Sequence, residues 1–202
     1  MKIINQGAEA ILYLTEEDTI LKKRVRKSYR IPELDLERRK RTTRKEIRLL
    51  EKASSLNLVP NLIKSSEEKF EIEIEKINLP LIKEIIEKVE DKKRILISKK
   101  IGESVRKLHD LNIIHGDLTT SNMFYSDENK KVIFIDFGLG CISEKIEDKA
   151  VDIRLLKQAI YSKHYTHADE IFKAIWSGYN PSKEFITRFE KVESRGRYKG
   201  KH

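Results

Sequence analysis

One short constellation near the middle of the chain limits its fold and chemistry more than any other feature. It comprises His115–Asn122, which reads HGDLTTSN, and the triplet Asp136–Gly138, which reads DFG and begins fourteen residues after Asn122. The triplet follows Lys131–Ile135, an apolar run that predicts a buried strand. Two acids and one amide are therefore expected on loops beside packed elements, where binding and catalytic residues concentrate.

These residue types suit phosphoryl transfer. Asp117 can accept a hydroxyl proton or orient a nucleophile, while Asn122 and Asp136 supply hard oxygen ligands for Mg²⁺ that bridges phosphates. The five-residue step from Asp117 to Asn122 matches the H-R-D-x-x-x-x-N spacing of kinase catalytic loops. Taken alone, Asp117 and Asn122 would be explained as turn caps, but the spacing of all three favours one shared site.

Such a site also needs a cation that clamps phosphates and a carboxylate that holds it. Lys22 closes the predicted strand Thr19–Lys22, at the place of the lysine in V-A-I-K. Glu46 lies in a charged helix predicted over Arg38–Leu56, and a buried Lys22–Glu46 pair would position the α- and β-phosphates. Two alternatives stay open, namely Lys23 in place of Lys22, and a surface pair between Glu46 and a basic neighbour in the helix.

The segment expected to cover the phosphates departs from the kinase pattern. Between the first two strands, where G-x-G-x-x-G would stand, the chain carries Gln6, Gly7, Ala8, Glu9 and Ala10. Only Gly7 can take a positive φ without strain. Backbone N–H groups of Gly7 to Ala10 could still cradle phosphates, because that contact does not depend on side chains. On its own the segment would be interpreted as a hairpin turn.

Together these stretches resemble the small atypical kinase of the KEOPS complex, a family related to RIO kinases and to p53-regulating kinase. Further matching stretches are Tyr29–Asp35, Arg41-Thr42 leading to Glu46, Ala150–Asp152 and Ser194–Arg197. His115–Leu118 alone is shared with sugar and aminoglycoside kinases, whereas Tyr29-Arg30-x-Pro32 and the basic tail narrow the resemblance sharply. It covers essentially the whole chain.

The resemblance implies an α+β fold, a shortened two-lobed protein kinase with a strand-rich N-lobe and a helical C-lobe. The N-lobe is expected over 1–76, with a five-strand-like sheet and one helix. The C-lobe is expected over 77–190 and a basic flexible tail over 191–202.

The resemblance also gives each candidate residue a role in the use of ATP and Mg²⁺. These roles are catalytic acid/base for Asp117, metal ligand for Asn122 and Asp136, ion pair for Lys22 and Glu46, and cover of the phosphates for Gln6 to Ala10. The chain lacks an Ala-Pro-Glu element and leaves little platform for a peptide substrate. The family is thought to act mainly as an ATPase, with Ser/Thr autophosphorylation.

The partners that the resemblance implies are other subunits of the same complex. One is the threonylcarbamoyltransferase subunit, which modifies adenosine in tRNAs that read codons beginning with A, and another is a small KEOPS subunit. Transfer RNA would be reached through the complex and the basic tail.

Positive charge is concentrated in two segments. Of a net charge of +9, Lys22–Arg48 contributes 13 Lys/Arg against 4 Asp/Glu, and Lys191–His202 contributes 5 against 1. Both segments could be solvated surface, or a footprint for RNA or for an acidic protein surface. The tail has no apolar period, so we expect it to be disordered alone and ordered on binding.

Composition excludes several classes of protein. No apolar run approaches the roughly 18 residues of a membrane helix, and Met1–Asn5 lacks the features of a signal peptide. A single cysteine, Cys141, excludes an internal disulfide framework and is expected to serve in packing. We therefore expect a cytoplasmic protein without a membrane partner.

Two other function classes compete. The poor phosphate loop would also suit a nucleotide-binding scaffold whose catalysis is incidental. A small-molecule kinase of the aminoglycoside type is the other alternative, but such enzymes usually need larger helical inserts to hold their substrate.

Overall fold

A five-stranded antiparallel sheet forms the first part of the structure, a computed structural model that describes residues 1–197. Its strands are β1 (Lys2–Gln6), β2 (Ala10–Leu14), β3 (Thr19–Arg24), β4 (Leu62–Ser66) and β5 (Glu71–Glu75). They lie in the spatial order β1-β2-β3-β5-β4. The central strand is therefore β3, where Lys22 pairs with Leu12 of β2 and with Ile72 of β5.

One long helix, α1 (Pro32–Ser54), contacts β4 and β5 of this sheet. The helix begins six residues before the predicted start at Arg38, because Pro32 in its first turn fixes a helical φ where no N–H is needed. The predicted apolar face is present, since Ile47, Leu50 and Ala53 are all buried. This packing fixes the rotation of α1 about its axis, and with it the direction in which Glu46 points.

The later part of the chain is mainly helical. Its helices are α2 (Ile82–Ile85), α3 (Asp91–Asp110), α4 (Ile146–Lys163), α5 (Ala168–Tyr179) and α6 (Lys183–Arg197). Helices α3 and α5 approach closely at two glycines: a Cβ on Gly102 would lie 2.0 Å from the carbonyl oxygen of Ile175, and one on Gly178 would lie 2.1 Å from that of Lys99. The predicted α+β fold, with a strand-rich N-lobe and a helical C-lobe, is confirmed.

Two short antiparallel ladders lie between α3 and α4. One pairs β6 (Ile113–Ile114) with β9 (Cys141–Ile142), and the other pairs β7 (Met123–Ser126) with β8 (Lys131–Phe134). The pairing of Met123 with Phe134 brings together the two ends of the second hairpin. Asn122, just before that hairpin, and Asp136, shortly after it, therefore lie near each other.

Two expectations are wrong: that the chain is a flexible tail from residue 191, and that Cys141 serves in packing. Helix α6 runs through Arg197 and buries Val192, so residues 191–197 are helical and not a flexible tail. The remainder of the predicted tail, 198–202, lies outside the described residues. Cys141 is exposed and does not serve in packing. Within residues 1–197, none of the helices combines the length and apolar character needed to cross a membrane.

Candidate active site

Lys22 joins the two lobes across the cleft between them. Its Nζ lies 2.7 Å from Oε1 of Glu46, on α1, and 2.7 Å from Oδ1 of Asp136, which follows β8. The Glu46 side chain is only 4 % exposed, so the structure brings together the pair expected from the sequence and not a surface pair within the helix. The alternative lysine, Lys23, contacts Glu71 at 2.7 Å instead.

Arg24 is a member of this cluster that the sequence interpretation missed. Its guanidinium Nη2 donates to Oε2 of Glu46, and its side chain is 4 % exposed. Side chains two residues apart on a strand point to the same face, so Lys22 and Arg24 both face α1. The K-x-R spacing on β3 was therefore the available signal, but it stood in a segment so basic that one further arginine did not stand out.

Asp136 is held in an unusual backbone conformation. Its φ is +64°, in the left-handed region that costs a non-glycine residue free energy and is common at functional sites. Burial acts to raise the pKa of the Asp136 carboxyl, but the charge and hydrogen bond of Lys22, the Gly138 N–H and the charge of Arg24 outweigh it and lower that pKa. Asp136 is therefore ionised at neutral pH, and half of its side-chain surface stays exposed.

His115 connects the loop of Asp117 to the strand end before Asp136. Its Nε2 donates to the Ile135 carbonyl at 3.1 Å, and its Nδ1 accepts the Asp117 backbone N–H at 3.3 Å. Burial lowers the pKa of this imidazole, which matches a neutral ring with one donor and one acceptor. The imidazole thus sets the distance between the two segments that carry the acids.

Asn122 orients the Asp117 carboxylate. Its Nδ2 donates to Oδ2 of Asp117 at 2.9 Å and to the Asp117 backbone carbonyl at 3.0 Å. The backbone carbonyl of Asn122 accepts the Ile135 N–H at 3.0 Å. These bonds leave the side-chain oxygen of Asn122 and one carboxylate oxygen of Asp117 for other partners. Asp117, Asn122 and Asp136 are therefore brought to one side of the cleft.

A buried carboxylate supports this loop from below. Asp152, on α4, accepts the backbone N–H groups of His115 at 2.9 Å and Gly116 at 2.8 Å, and His109 Nε2 lies 3.2 Å away. Gly116 has a φ of +80°, and a Cβ there would lie 2.6 Å from the carbonyl oxygen of Leu139. Glycine is thus required where the loop turns. From the sequence, Asp152 was only part of a matching stretch without an assigned role, because nothing local predicts a contact 36 residues away.

The residues available for a cation are few. Within residues 1–197, no group of three or more His, Cys, Asp or Glu side chains is arranged to hold a metal ion. Asn122 and Asp136 supply one amide and one carboxylate oxygen. Such a pair fits Mg²⁺ that is bound mainly by substrate phosphates, because this ion usually takes only one or two protein carboxylates and keeps the rest of its shell for phosphate and water.

The segment Gln6 to Ala10 differs from the predicted phosphate cradle. Gln6 ends β1 and Ala10 begins β2, while the Gly7 N–H donates to the Ala10 carbonyl at 2.9 Å and so closes the hairpin. The Gly7 N–H is therefore used within the hairpin in this conformation, and the φ of Gly7 is not positive. Ala8 and Glu9 form the tip between the two strands.

Glu9 ties this hairpin to the segment before α1. Arg30 Nη1 and Nη2 donate to its two carboxylate oxygens at 3.1 and 2.7 Å. This bidentate bond lowers the pKa of the Glu9 carboxyl. Arg30 also lies 3.6 Å from the buried carboxylate of Asp35, whose second oxygen accepts from Arg39 at 2.7 Å. The motif Tyr29–Asp35 therefore braces the hairpin tip.

Comparisons with known proteins identify the family of this chain. The family model described as "Protein kinase domain" matches residues 2–181. The chain is 38 % identical to the "KEOPS complex subunit Bud32" of Pyrococcus abyssi, over 98 % of this chain and 97 % of the relative. It is 37 % identical to the "EKC/KEOPS complex subunit BUD32" of Enterocytozoon bieneusi, over 98 % of each.

A third relative is much longer than this chain. It is the "Probable bifunctional tRNA threonylcarbamoyladenosine biosynthesis protein" of Methanothermobacter thermautotrophicus, which is 36 % identical over 97 % of this chain. The match covers only 36 % of that relative's length.

Proposed function

From the premise that this chain belongs to the protein kinase family, as an atypical kinase of the KEOPS Bud32 type, we propose that it uses ATP and Mg²⁺ to transfer the terminal phosphoryl group. The acceptor is water or a Ser/Thr hydroxyl, including one of its own. The observation that carries the proposal is the contact of Lys22 with both Glu46 and Asp136, because it brings together a cation suited to phosphate and an acid suited to a metal ion.

Asp117 has the central chemical role in this proposal. Its Oδ2 is held by Asn122, so the other carboxylate oxygen is left to accept the proton of the attacking hydroxyl or water. The attacking oxygen forms a bond to the γ-phosphorus as the bond to the leaving oxygen of ADP breaks. Asn122 thus positions Asp117 as well as offering an oxygen to the cation.

The remaining residues bind and orient the nucleotide. Lys22, fixed by Glu46, contacts phosphate oxygens, and the hairpin Gln6 to Ala10 covers them. Asn122 and Asp136 would hold Mg²⁺, which would neutralise charge on the phosphates when bound. The lowered pKa of Asp136 supports this role, because a metal ligand of this kind must be deprotonated.

We also propose the biological setting. The names of the relatives support a role in KEOPS and in threonylcarbamoyladenosine formation on tRNA. The proposed partners are the threonylcarbamoyltransferase subunit, another small KEOPS subunit, and tRNA, in the cytoplasm. The bifunctional relatives support the first partner, since there the segment like this chain is fused to a longer protein.

The test compares the wild-type chain with Asp117→Asn, alone, with the transferase subunit, and with tRNA added. We expect partner-stimulated ATP hydrolysis by the wild type and a loss of roughly 10²–10⁴-fold in the variant, as for removal of a general base. Binding of ATP should persist. Undiminished hydrolysis by Asp117→Asn would contradict the assignment.

One observation favours a second candidate, a nucleotide-binding scaffold with incidental catalysis. The Gly7 N–H is used within the hairpin, so one expected phosphate donor is absent from the observed conformation. The scaffold predicts that Lys22→Ala weakens complex assembly more than ATP turnover. Pull-down of the transferase subunit and ATP hydrolysis, measured on the same preparation, separate the two functions.

A further inference from the structure

Arg24 is a buried cation inside the cluster that the proposed function assigns to nucleotide binding. Its Nη2 donates to Oε2 of Glu46, and its backbone N–H donates to the Phe70 carbonyl at 3.0 Å. Its Nη1 is buried and has no hydrogen-bond partner among residues 1–197. Burying a guanidinium with an unused N–H costs folding free energy. The ionic hydrogen bond to Glu46 offsets that cost.

The two oxygens of Glu46 have separate cations. Lys22 bonds Oε1, whereas Arg24 bonds Oε2. Lys22 is also bonded to Asp136, so its ammonium is shared between two carboxylates. When Lys22 exchanges Asp136 for phosphate oxygens, its ammonium must serve Glu46 and another anion at once, whereas the bond from Arg24 to Glu46 does not involve the nucleotide.

Arg24 also lies against the turn that follows β8. A Cβ on Gly138 would lie 3.3 Å from Nη2 of Arg24 and 3.1 Å from Oδ1 of Asp136. The guanidinium therefore packs beside the Asp136–Gly138 backbone, and its charge helps to lower the pKa of Asp136. One side chain on β3 thus contacts α1 and adjoins the segment that carries the proposed metal ligand.

We propose that Arg24 is a positioning residue that acts through Glu46: it fixes the Glu46 carboxylate, and with it α1, so that Lys22 is free to contact phosphate. The role in nucleotide binding rests on the proposed function. The anchoring of Glu46 does not, because both partners belong to this chain and contact each other directly.

The test uses the full chain and four single variants: Arg24→Met, Arg24→Lys, Lys22→Met and Lys23→Met. Lys23→Met is the matched control, because it removes a cation from the same strand but its ammonium contacts Glu71 outside the cluster. The first measurement, without nucleotide, is amide hydrogen exchange of α1 around Glu46. The second is KM and kcat for ATP with Mg²⁺.

We expect Arg24→Met to speed exchange around Glu46 by about tenfold or more, while Lys22→Met and the control change it less than about twofold, because local opening tracks the lost anchor. Arg24→Met should raise KM for ATP about tenfold with kcat within about threefold, since Asp117 is untouched. Arg24→Lys should recover most of both effects, because only one nitrogen of the guanidinium contacts Glu46.

The proposal is overturned if Lys22→Met speeds exchange as much as Arg24→Met, or if Arg24→Met lowers kcat in proportion to its folded fraction with KM unchanged. Should Arg24→Met fail to fold, Arg24→Met/Glu46→Met must restore folding, and failure to do so also overturns it. A wild-type chain that neither binds nor hydrolyses ATP would refute the proposed function, while the exchange measurement would still decide the role of Arg24.

Discussion

His115 and Ile135 are joined by a hydrogen bond of 3.1 Å from the imidazole Nε2 to the carbonyl oxygen. This bond links the loop of Asp117 to the strand end that precedes Asp136. The imidazole is fully buried, so its neutral form is favoured and its charged form would cost free energy of desolvation. Its protonation state therefore matters for stability.

The lowered pKa of His115 predicts acid-sensitive stability. The unfolded imidazole, with a pKa of about 6.5, takes up a proton before the folded one does, so stability is lost as pH falls below about 6.5. We expect the stability advantage of the wild type over His115→Gln to shrink between about pH 7.5 and 5. Urea unfolding at several pH values measures it. The pKa of His164 is lowered too, but His164 is present in both proteins and its contribution cancels. A constant advantage would contradict the prediction.

Replacing Asp152 should loosen the loop. Asp152→Asn puts an amide N–H₂ where one carboxylate oxygen accepts a backbone N–H, from either His115 or Gly116. We expect a loss of about 2 kcal/mol of unfolding free energy, as for a lost hydrogen bond to a charged group. Urea unfolding gives this value. The surface variant Asp110→Asn serves as control, and an equal effect there would argue against the loop-specific role.

Gly102 should not tolerate a methyl group. Alanine is normally favoured over glycine in a helix by about 1 kcal/mol. Here, however, the added Cβ would lie 2.0 Å from the Ile175 carbonyl oxygen. We expect Gly102→Ala to destabilise the fold by about 1–3 kcal/mol, because α3 and α5 must move apart. Gly7→Ala is the matched control, since its Cβ would lie at an ordinary 3.5 Å from the Ala10 carbonyl oxygen. Thermal unfolding distinguishes them, and equal melting temperatures would refute the argument.

The Arg30–Glu9 pair should affect nucleotide binding more than stability. The Glu9 side chain is half exposed, so the pair contributes less than about 1 kcal/mol to folding. Glu9→Ala frees the hairpin tip that is proposed to cover the phosphates but leaves Arg30 beside Asp35. We expect KM for ATP to rise roughly fivefold, which corresponds to about 1 kcal/mol. A higher salt concentration should reduce the difference in KM between the wild type and the variant, because it screens the ion pair. Calorimetric unfolding and ATP kinetics would give the two numbers. A large loss of stability with unchanged KM would contradict it.

The position of a C-terminal truncation should decide its effect. Removal of residues 191–202 deletes buried Val192 and the Glu193–Lys157 ion pair, and we expect it to cost about 2 kcal/mol of stability. Removal of 198–202 alone leaves both in place. Thermal unfolding of the two truncated chains checks this. Assays of tRNA modification should therefore use the shorter truncation. Equal loss in both would refute the role assigned to Val192.

The sequence predicted that Lys22, Glu46, Asp117, Asn122 and Asp136 would lie together, and their contacts agree with that arrangement. The spacing of kinase motifs carried the prediction for the last three, and the predicted strand and helix carried it for Lys22 and Glu46. Arg24 was not predicted, because its role depends on which face of β3 packs against α1, and tertiary packing decides that. The end of α6 was missed although Phe185, Phe189 and Val192 repeat at steps of four and three. The basic residues after Lys191 were interpreted as a disordered tail in spite of this apolar pattern. Asp152 was recognised only as part of a matching stretch, and its contact with Gly116 was not predicted, because only the fold brings the two residues together.

The double contact of Lys22 has a consequence for the order of ligand entry. A divalent cation arriving alone must compete with an ammonium for Asp136, and a polyphosphate arriving alone must compete with Asp136 for the same ammonium. Either ligand alone must therefore break the Lys22–Asp136 bond and form only one new bond in its place. If the cation and the polyphosphate enter as one complex, that bond is replaced by two, one from Lys22 to phosphate and one from Asp136 to the cation.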